Sequence, residues 1–351
     1  MKKNTIILST ILALITCVII VILTNHTAPA DKTSAATCKP IPVLAESSTW
    51  YKGTTAKSTI TQMELIDSGK PTGTISESWD ASAAQDGSVM AYIVGTKLTL
   101  SGNGYGKIVA NAKSHRAFSG FTALTDIAGM KKLDTSNVTN MWVMFGDCNA
   151  LTSLDVSNFD TSNVTTMNGM FVRCYALTSL DLSNWDVSKV RIMGAMFFGC
   201  NTLTSVGDLS GWNTASLTDL LHMFVSCDAL TSLNLAGWDT SKVTSMSGMF
   251  SGCDALTSVD LSGWSTASVN VSEDGLDTMN DMFEECTKLQ TVTLGKDFKF
   301  VGTKGYLPTP SSTYISGADG KWYDKKDASA YTPAELAGVT RTETRTYVAI
   351  P

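Results

Sequence analysis

Residues 151–174 read LTSLDVSNFDTSNVTTMNGMFVRC, and the same residue types return in the same slots down the chain. A Met-Phe dipeptide with Cys three places beyond the Phe marks each copy: Phe145 and Cys148, Phe171 and Cys174, Phe197 and Cys200, Phe224 and Cys227, Phe250 and Cys253, Phe283 and Cys286. Successive cysteines lie 26, 26, 27, 26 and 33 residues apart. A fixed period in the twenties implies one supersecondary unit per copy, unable to bury its own apolar face and obliged to stack on its neighbours. Function is then to be sought on a surface.

Within a copy, Leu180 and Leu182 alternate with Ser179, Asp181 and Ser183, as a short strand demands. The L-x-x-L-x-L spacing is that of a leucine-rich repeat. An aromatic follows (Phe159, Trp185, Trp212, Trp238, Trp264), then Asp-Thr-Ser or a near relative, which reads as a helix stop-and-cap signal. Val164, Met167, Phe171 and Cys174 come next at intervals of three and four, one stripe of a helical segment. The expected fold is therefore an α/β solenoid, a leucine-rich-repeat-like stack of short parallel strands and helical turns. Leu180, Leu182, Val164, Met167, Phe171 and Cys174 are its repeat core. Two irregularities bear on geometry: Gly207 adds a residue between the strand apolars of its copy, and residues 271–277 (VSEDGLD) insert where a helical turn should begin.

Outward from the repeats, Met1-Lys2-Lys3 precedes an uncharged apolar run at residues 6–23, an export-type segment long enough for either a cleaved signal peptide or a retained anchor. The expected organisation is 1–24 signal peptide or membrane anchor, 25–49 spacer, 50–116 β-rich N-terminal cap, 117–294 solenoid and 295–351 C-terminal cap. Strands are expected at 89–94 and 97–100, and residues 117–124 read as a half-repeat with Phe121 in the cysteine slot. Net charge is -6 with a pI near 5.1, and no concentrated basic surface is visible, so nucleic acid is not an expected partner.

The repeat MF-x-x-C-x-x-L-T-S-L-D-L-S-x-W-D-T-S-x-V-x-x-M resembles the 26-residue repeat of bacterial BspA-type leucine-rich-repeat surface proteins, over residues 117–294. Trp79-Asp80-Ala81-Ser82 with Gly87-Ser88-Val89, and Asp319-Gly320-Lys321-Trp322-Tyr323 with Tyr331-Thr332-Pro333, resemble the segments that flank such repeats. The resemblance implies an exported, surface-displayed protein of the adhesin or interaction type, and it brings no catalytic residues. The expected location is extracytoplasmic, at the cell surface, secreted or held to the membrane by the N-terminal segment. The expected partner is a host, matrix or neighbouring-cell protein or glycan. The alternative is a structural surface or cell-wall spacer without a specific ligand.

Three histidines, His26, His115 and His222, offer little to an enzyme, and no H-E-x-x-H, G-x-S-x-G or P-loop pattern is present. No cofactor, metal or catalytic residue is expected. Asp155, Asp181 and Asp260 recur one repeat apart and read as a solvated strand face, because an ion needs oxygens converging on one point. The aromatic column from Phe159 to Trp264 reads as packing between copies. The slot after Met-Phe varies most (Gly146, Val172, Phe198, Val225, Ser251, Glu284), and on a helix it would point away from the core stripe. Val172, Phe198 and Val225, flanked by Arg191 and Ile192, are thus the expected partner-binding column, with burial in the repeat junctions as its alternative. The cysteines are expected to be free thiols, since stacked helices would hold neighbours about 8–10 Å apart, beyond disulfide reach.

Overall fold

The computed structural model describes residues 39–46, 48–269, 279–302 and 306–350. Contacts part the chain at Pro40. Of the first unit, Met1–Pro40, only Lys39 and Pro40 are described, and the second, Ile41–Pro351, carries the architecture. The expected export segment, most of the spacer, His26 and the insertion at 271–277 lie outside the described residues.

The expected α/β solenoid is overturned: the described residues form three β-sheets and almost no helix. Helix is confined to α1 (Pro333–Ala337) and two single 3-10 turns, Lys57–Thr59 and Met130–Lys132. Where Val164, Met167, Phe171 and Cys174 pointed to helical turns, the backbone runs as linked β-turns. In residues 141–148 the amides alternate. Met144, Gly146 and Cys148 donate within the copy, to Met141, Val143 and Phe145 (3.1, 3.0 and 3.3 Å). Met141, Val143, Phe145 and Asp147 donate instead to Thr166, Asn168, Met170 and Val172 of the next copy (3.0, 2.9, 2.9 and 2.8 Å). An α-helix keeps its amides within the segment, four residues apart, so this pattern excludes one.

Two slots per copy carry positive φ: Val143, Gly169, Ala195, His222 and Gly248 in one, Asp147, Arg173, Gly199, Ser226 and Gly252 in the other. Each is the third residue of a turn, where type II geometry requires φ above zero and a right-handed helix forbids it. Nor does Asp-Thr-Ser cap a helix. Asp160 accepts the Ser162 N–H (3.0 Å) in a local Asx turn, and buried Thr161 donates its hydroxyl to the Asp186 carbonyl of the next copy (3.0 Å).

Copies stack in parallel register through single bridges, Lys113 to Asn140, Asn140 to Thr166, Thr166 to Ile192, Ile192 to Asp219 and Asp219 to Ser245. Inside, phenylalanine rings stack copy on copy: Phe118 on Phe145, then Phe171, Phe197, Phe224, Phe250 and Phe283, with centroids 5.3–5.9 Å apart. The expected core residues Leu180, Leu182, Val164, Met167, Phe171 and Cys174 are all buried, as is the column from Phe159 to Trp264. Trp212, Trp238 and Trp264 each donate their indole N–H to a leucine carbonyl of the preceding copy (3.1, 2.9 and 3.0 Å).

Both ends of the stack continue into sheets. β1 (Gln62–Ile66), β2 (Glu77–Asp80), β3 (Met90–Val94) and β4 (Lys97–Ser101) join β6 (Asp126–Ala128) in the order β2-β3-β4-β1-β6, with β1 parallel to β4 and β6. Strands were expected at 89–94 and 97–100, and β3 and β4 occupy those stretches. The small pair β5 (Ile108–Val109) and β7 (Leu133–Asp134) lies alongside in sequence. Trp50, fully buried, packs on Phe118 and Phe121 and donates its indole N–H to Ala117 (2.7 Å), which ties this part to the half-repeat. At the other end, β8 (Ser232–Asn234), β9 (Ser258–Leu261) and β10 (Thr291–Leu294) run parallel. β13 (Arg345–Val348) then pairs antiparallel with β10, followed outward by β11 (Trp322–Asp324) and β12 (Ala330–Tyr331).

Candidate binding surfaces

The stack presents two surfaces of interest, one on the linked turns and one on the strand side. On the turns, Val172, Phe198 and Val225 occupy one slot of adjacent copies and are half-buried. The Arg173 amide donates to the Phe198 carbonyl (2.7 Å) and the Gly199 amide to Val225 (2.8 Å), so the three form one column. The ring of Phe198 meets His222 edge-on at 6.4 Å, and neighbouring slots are small (Gly169, Ala195, Gly199) or apolar and exposed (Leu221). Arg191, exposed, and Ile192, half-buried, belong to two other columns: Arg191 to the line of Thr165 and Thr218, Ile192 to the bridge line of Thr166 and Asp219. The slot of Gly169, Ala195, His222 and Gly248 is set by its left-handed backbone, a signal present in the sequence as recurrent glycine.

The strand side was not singled out as a site by sequence, and it carries two adjoining cavities. A groove of about 630 Å³ runs over Asp126, Ser153, Asp155, Ser179, Asp181 and Ser183 to Ser205 and Gly207. There it meets a second cleft of about 320 Å³, between residues 204–209 and the whole of β8. The carboxylates are fixed locally. Asp155 and Asp181 accept the N–H and hydroxyl of Ser157 and Ser183, which hold both below the usual carboxylate range. Asp208 is lowered by its bonds from Ser210. Among the described residues no group of three or more His, Cys, Asp or Glu converges as a metal site would.

A threonine ladder along the strand side breaks beside the smaller cleft. Thr152, Thr178, Thr204 and Thr257 each give both N–H and hydroxyl to the carbonyl one copy back, at Thr125, Thr152, Thr178 and Thr231. Thr231 should do the same to Thr204. Among the described residues, its N–H and hydroxyl and the Thr204 carbonyl instead find no protein partner. The break sits beside Gly207, the one-residue insertion, and β8 is left as the outer strand of its sheet.

A family model described as "Mycoplasma protein of unknown function, DUF285" matches residues 112–232 and 199–301, more than half of the chain. The chain belongs to the DUF285 family. Its matched span begins just before the half-repeat and ends past β10, so both surfaces are built within the DUF285 repeats. Curated proteins and solved structures give no match to this DUF285 chain. Among its described residues no helix is long and apolar enough to cross a membrane.

The six repeat cysteines of this DUF285 protein are free and buried, as expected, but the expected reason was wrong. No helices hold them apart. Each thiol donates to the Phe carbonyl one copy back: Cys148 to Phe118, Cys174 to Phe145, Cys200 to Phe171, Cys227 to Phe197, Cys253 to Phe224 and Cys286 to Phe250, at 3.0–3.3 Å. Burial pushes the thiols of Cys148, Cys200 and Cys286 up to about 12 and the other three well above 9.0. Such thiols make poor nucleophiles and serve the stack.

Proposed function

We propose that this DUF285 chain is a non-enzymatic binding protein displayed outside the cell, of the BspA-like adhesin or interaction type. The observation that carries the reading is the division of labour between inside and outside. The repeat thiols, buried threonine hydroxyls such as Thr161 and indoles such as Trp238 are committed to inter-copy hydrogen bonds, while a groove crosses several copies on the strand side. A catalytic site needs a reactive group free to move a proton or attack a substrate. The cysteines are protonated and buried, and Asp155, Asp181 and Asp208 are held by their own turns. Display outside the cell rests on Met1-Lys2-Lys3 and the apolar residues 6–23.

Both surfaces are candidates for the contact. The turn column Val172, Phe198 and Val225 offers apolar area, and Arg191 and Ile192 belong to other columns of the same stack. The strand side offers shape. The regular Ser and Thr columns favour the second reading, a spacer, because a surface that repeats itself discriminates poorly. Purified full chain immobilised and exposed to matrix proteins, surface proteins and glycans tests this. Binding reads out as saturable capture of a partner, lost in Phe198→Ser or in Asp208→Asn with the melting temperature kept. Absence of any saturable partner would leave the spacer.

A further inference from the structure

We infer that the exposed indole of Trp142, with Arg116 and Lys57 beside it, forms a site for an acidic sugar at the N-terminal end of the linked-turn surface. The inference rests on the binding reading above and names the chemistry of its partner. Trp142 is 39% exposed, and both groups that touch its ring come from the preceding copy. The Arg116 guanidinium lies over the ring, 4.8 Å from its centroid, and the His115 ring stacks at 6.3 Å and 24°.

The side of Trp142 toward the next copies is open. The Val143, Gly169 and Ala195 amides donate to Asn168, Gly194 and Leu221 (2.9, 2.8 and 2.7 Å), so Trp142, Asn168, Gly194 and Leu221 follow one another in one column. Gly194 has no side chain, and a Cβ there would lie 3.2 Å from Asn168 Nδ2. The Asn168 amide therefore leans forward over Gly194, away from Trp142. Among the described residues that amide has no hydrogen-bond partner. The column thus offers a flat aromatic wall, a short amide floor and, three copies on, the exposed side chain of Leu221.

Charge selects the occupant. Lys57 is distant from the repeats in sequence, but its ammonium donates to the Ser119 carbonyl (2.9 Å) and lies over the Phe121 and Tyr51 rings (4.8 and 5.5 Å). Burial lowers the Lys57 ammonium below its ordinary value, and the Arg116 guanidinium pushes it the same way. Nearby, Lys113 takes Glu46 (3.8 Å) and Arg173 takes Asp147 (3.3 Å). Among the described residues no carboxylate lies within ion-pair distance of Lys57 or Arg116. In a chain of net charge -6 this pair of cations is a local positive site. A carboxylate fits the guanidinium fork, a pyranose lays its C–H face on the negative face of an indole, and its hydroxyls reach the Asn168 amide. An acidic peptide would use the cations and leave the ring and the amide idle, so the sugar is the better match.

The probe is a labelled hexasaccharide of alternating glucuronate and N-acetylglucosamine, titrated into the full chain and followed by fluorescence anisotropy. Saturable binding is expected, weakened roughly tenfold and made less salt-dependent when the carboxyls are reduced to alcohols. Arg116→Asn, which removes the charge and suits the left-handed backbone there (φ 56°), should weaken the acidic sugar by a similar factor and leave the reduced sugar unchanged. Trp142→Ala should weaken both sugars, with the melting temperature kept. If Trp142→Ala lowers the melting temperature, Arg116→Asn tested on the two sugars decides. No saturable binding, equal affinity for the reduced sugar, or binding undiminished by Arg116→Asn would overturn the proposal. A glutamate peptide that binds where the sugar does not would overturn it too. A chain that ignores the sugar yet captures another partner would remove this site and leave the binding reading standing.

Discussion

Each repeat cysteine is a hydrogen-bond donor in an apolar stack, and its chemistry follows from that place. A thiol raised by burial stays protonated in the folded chain while the unfolded chain ionises near 9.0. Below that pH the contribution to stability is complete, and it is lost as pH rises from about 9 toward 12. The melting temperature is therefore expected to fall steeply above pH 9, and less so in a Cys200→Ala variant. Alkylation of the native protein at neutral pH should spare all six repeat cysteines, and modify them once the chain is unfolded. Threonine is the second such residue. Thr240 is buried, donates to the Ser265 carbonyl (2.7 Å) and accepts the Ser265 N–H (3.0 Å), whereas Val187 fills the same slot without a hydroxyl. Thr240→Val should cost about 1–3 kcal/mol, and Val187→Thr should gain about 0.5–1.5, read by urea unfolding.

At the scale of the element, the stretch that reads as a helix is a run of turns, and the reason lies in particular residues. Met167, Met170, Phe171 and Cys174 are spaced as a helical stripe and are all buried, so periodicity alone could not tell the two apart. The contrary signal was glycine, recurring at Gly169 and Gly248 in one slot and at Gly199 and Gly252 in another, where φ is positive. Ala195, Arg173 and His222 in those slots masked it. Ala195→Gly should relieve a left-handed alanine and raise stability by about 1 kcal/mol, measured by chemical denaturation. Leu180 was legible as core from its alternation with Ser179 and Asp181. Leu180→Ala is expected to cost about 2–5 kcal/mol.

Across the whole body from Ile41 on, the repeat period, the buried aromatic columns and the strands β3 and β4 were legible, because each follows from the pattern of side chains along the chain. The two-way traffic of amides was not, since main-chain partners leave no mark on residue type. The candidate site was half legible. The turn column was singled out from its variation and expected to be exposed, and it is half-buried; Gly207 was seen as an irregularity, but the opening beside it depends on which ladder bonds fail to form. Among the described residues the threonine ladder is continuous except between Thr204 and Thr231, and the smaller cleft lies beside that break. Residue-resolved amide hydrogen exchange tests it most directly. The expected result is protection at Thr178, Thr204 and Thr257, fast exchange at Thr231, and protection of Thr231 once Gly207 is deleted. Equal protection of all four threonines in the unaltered chain would contradict it.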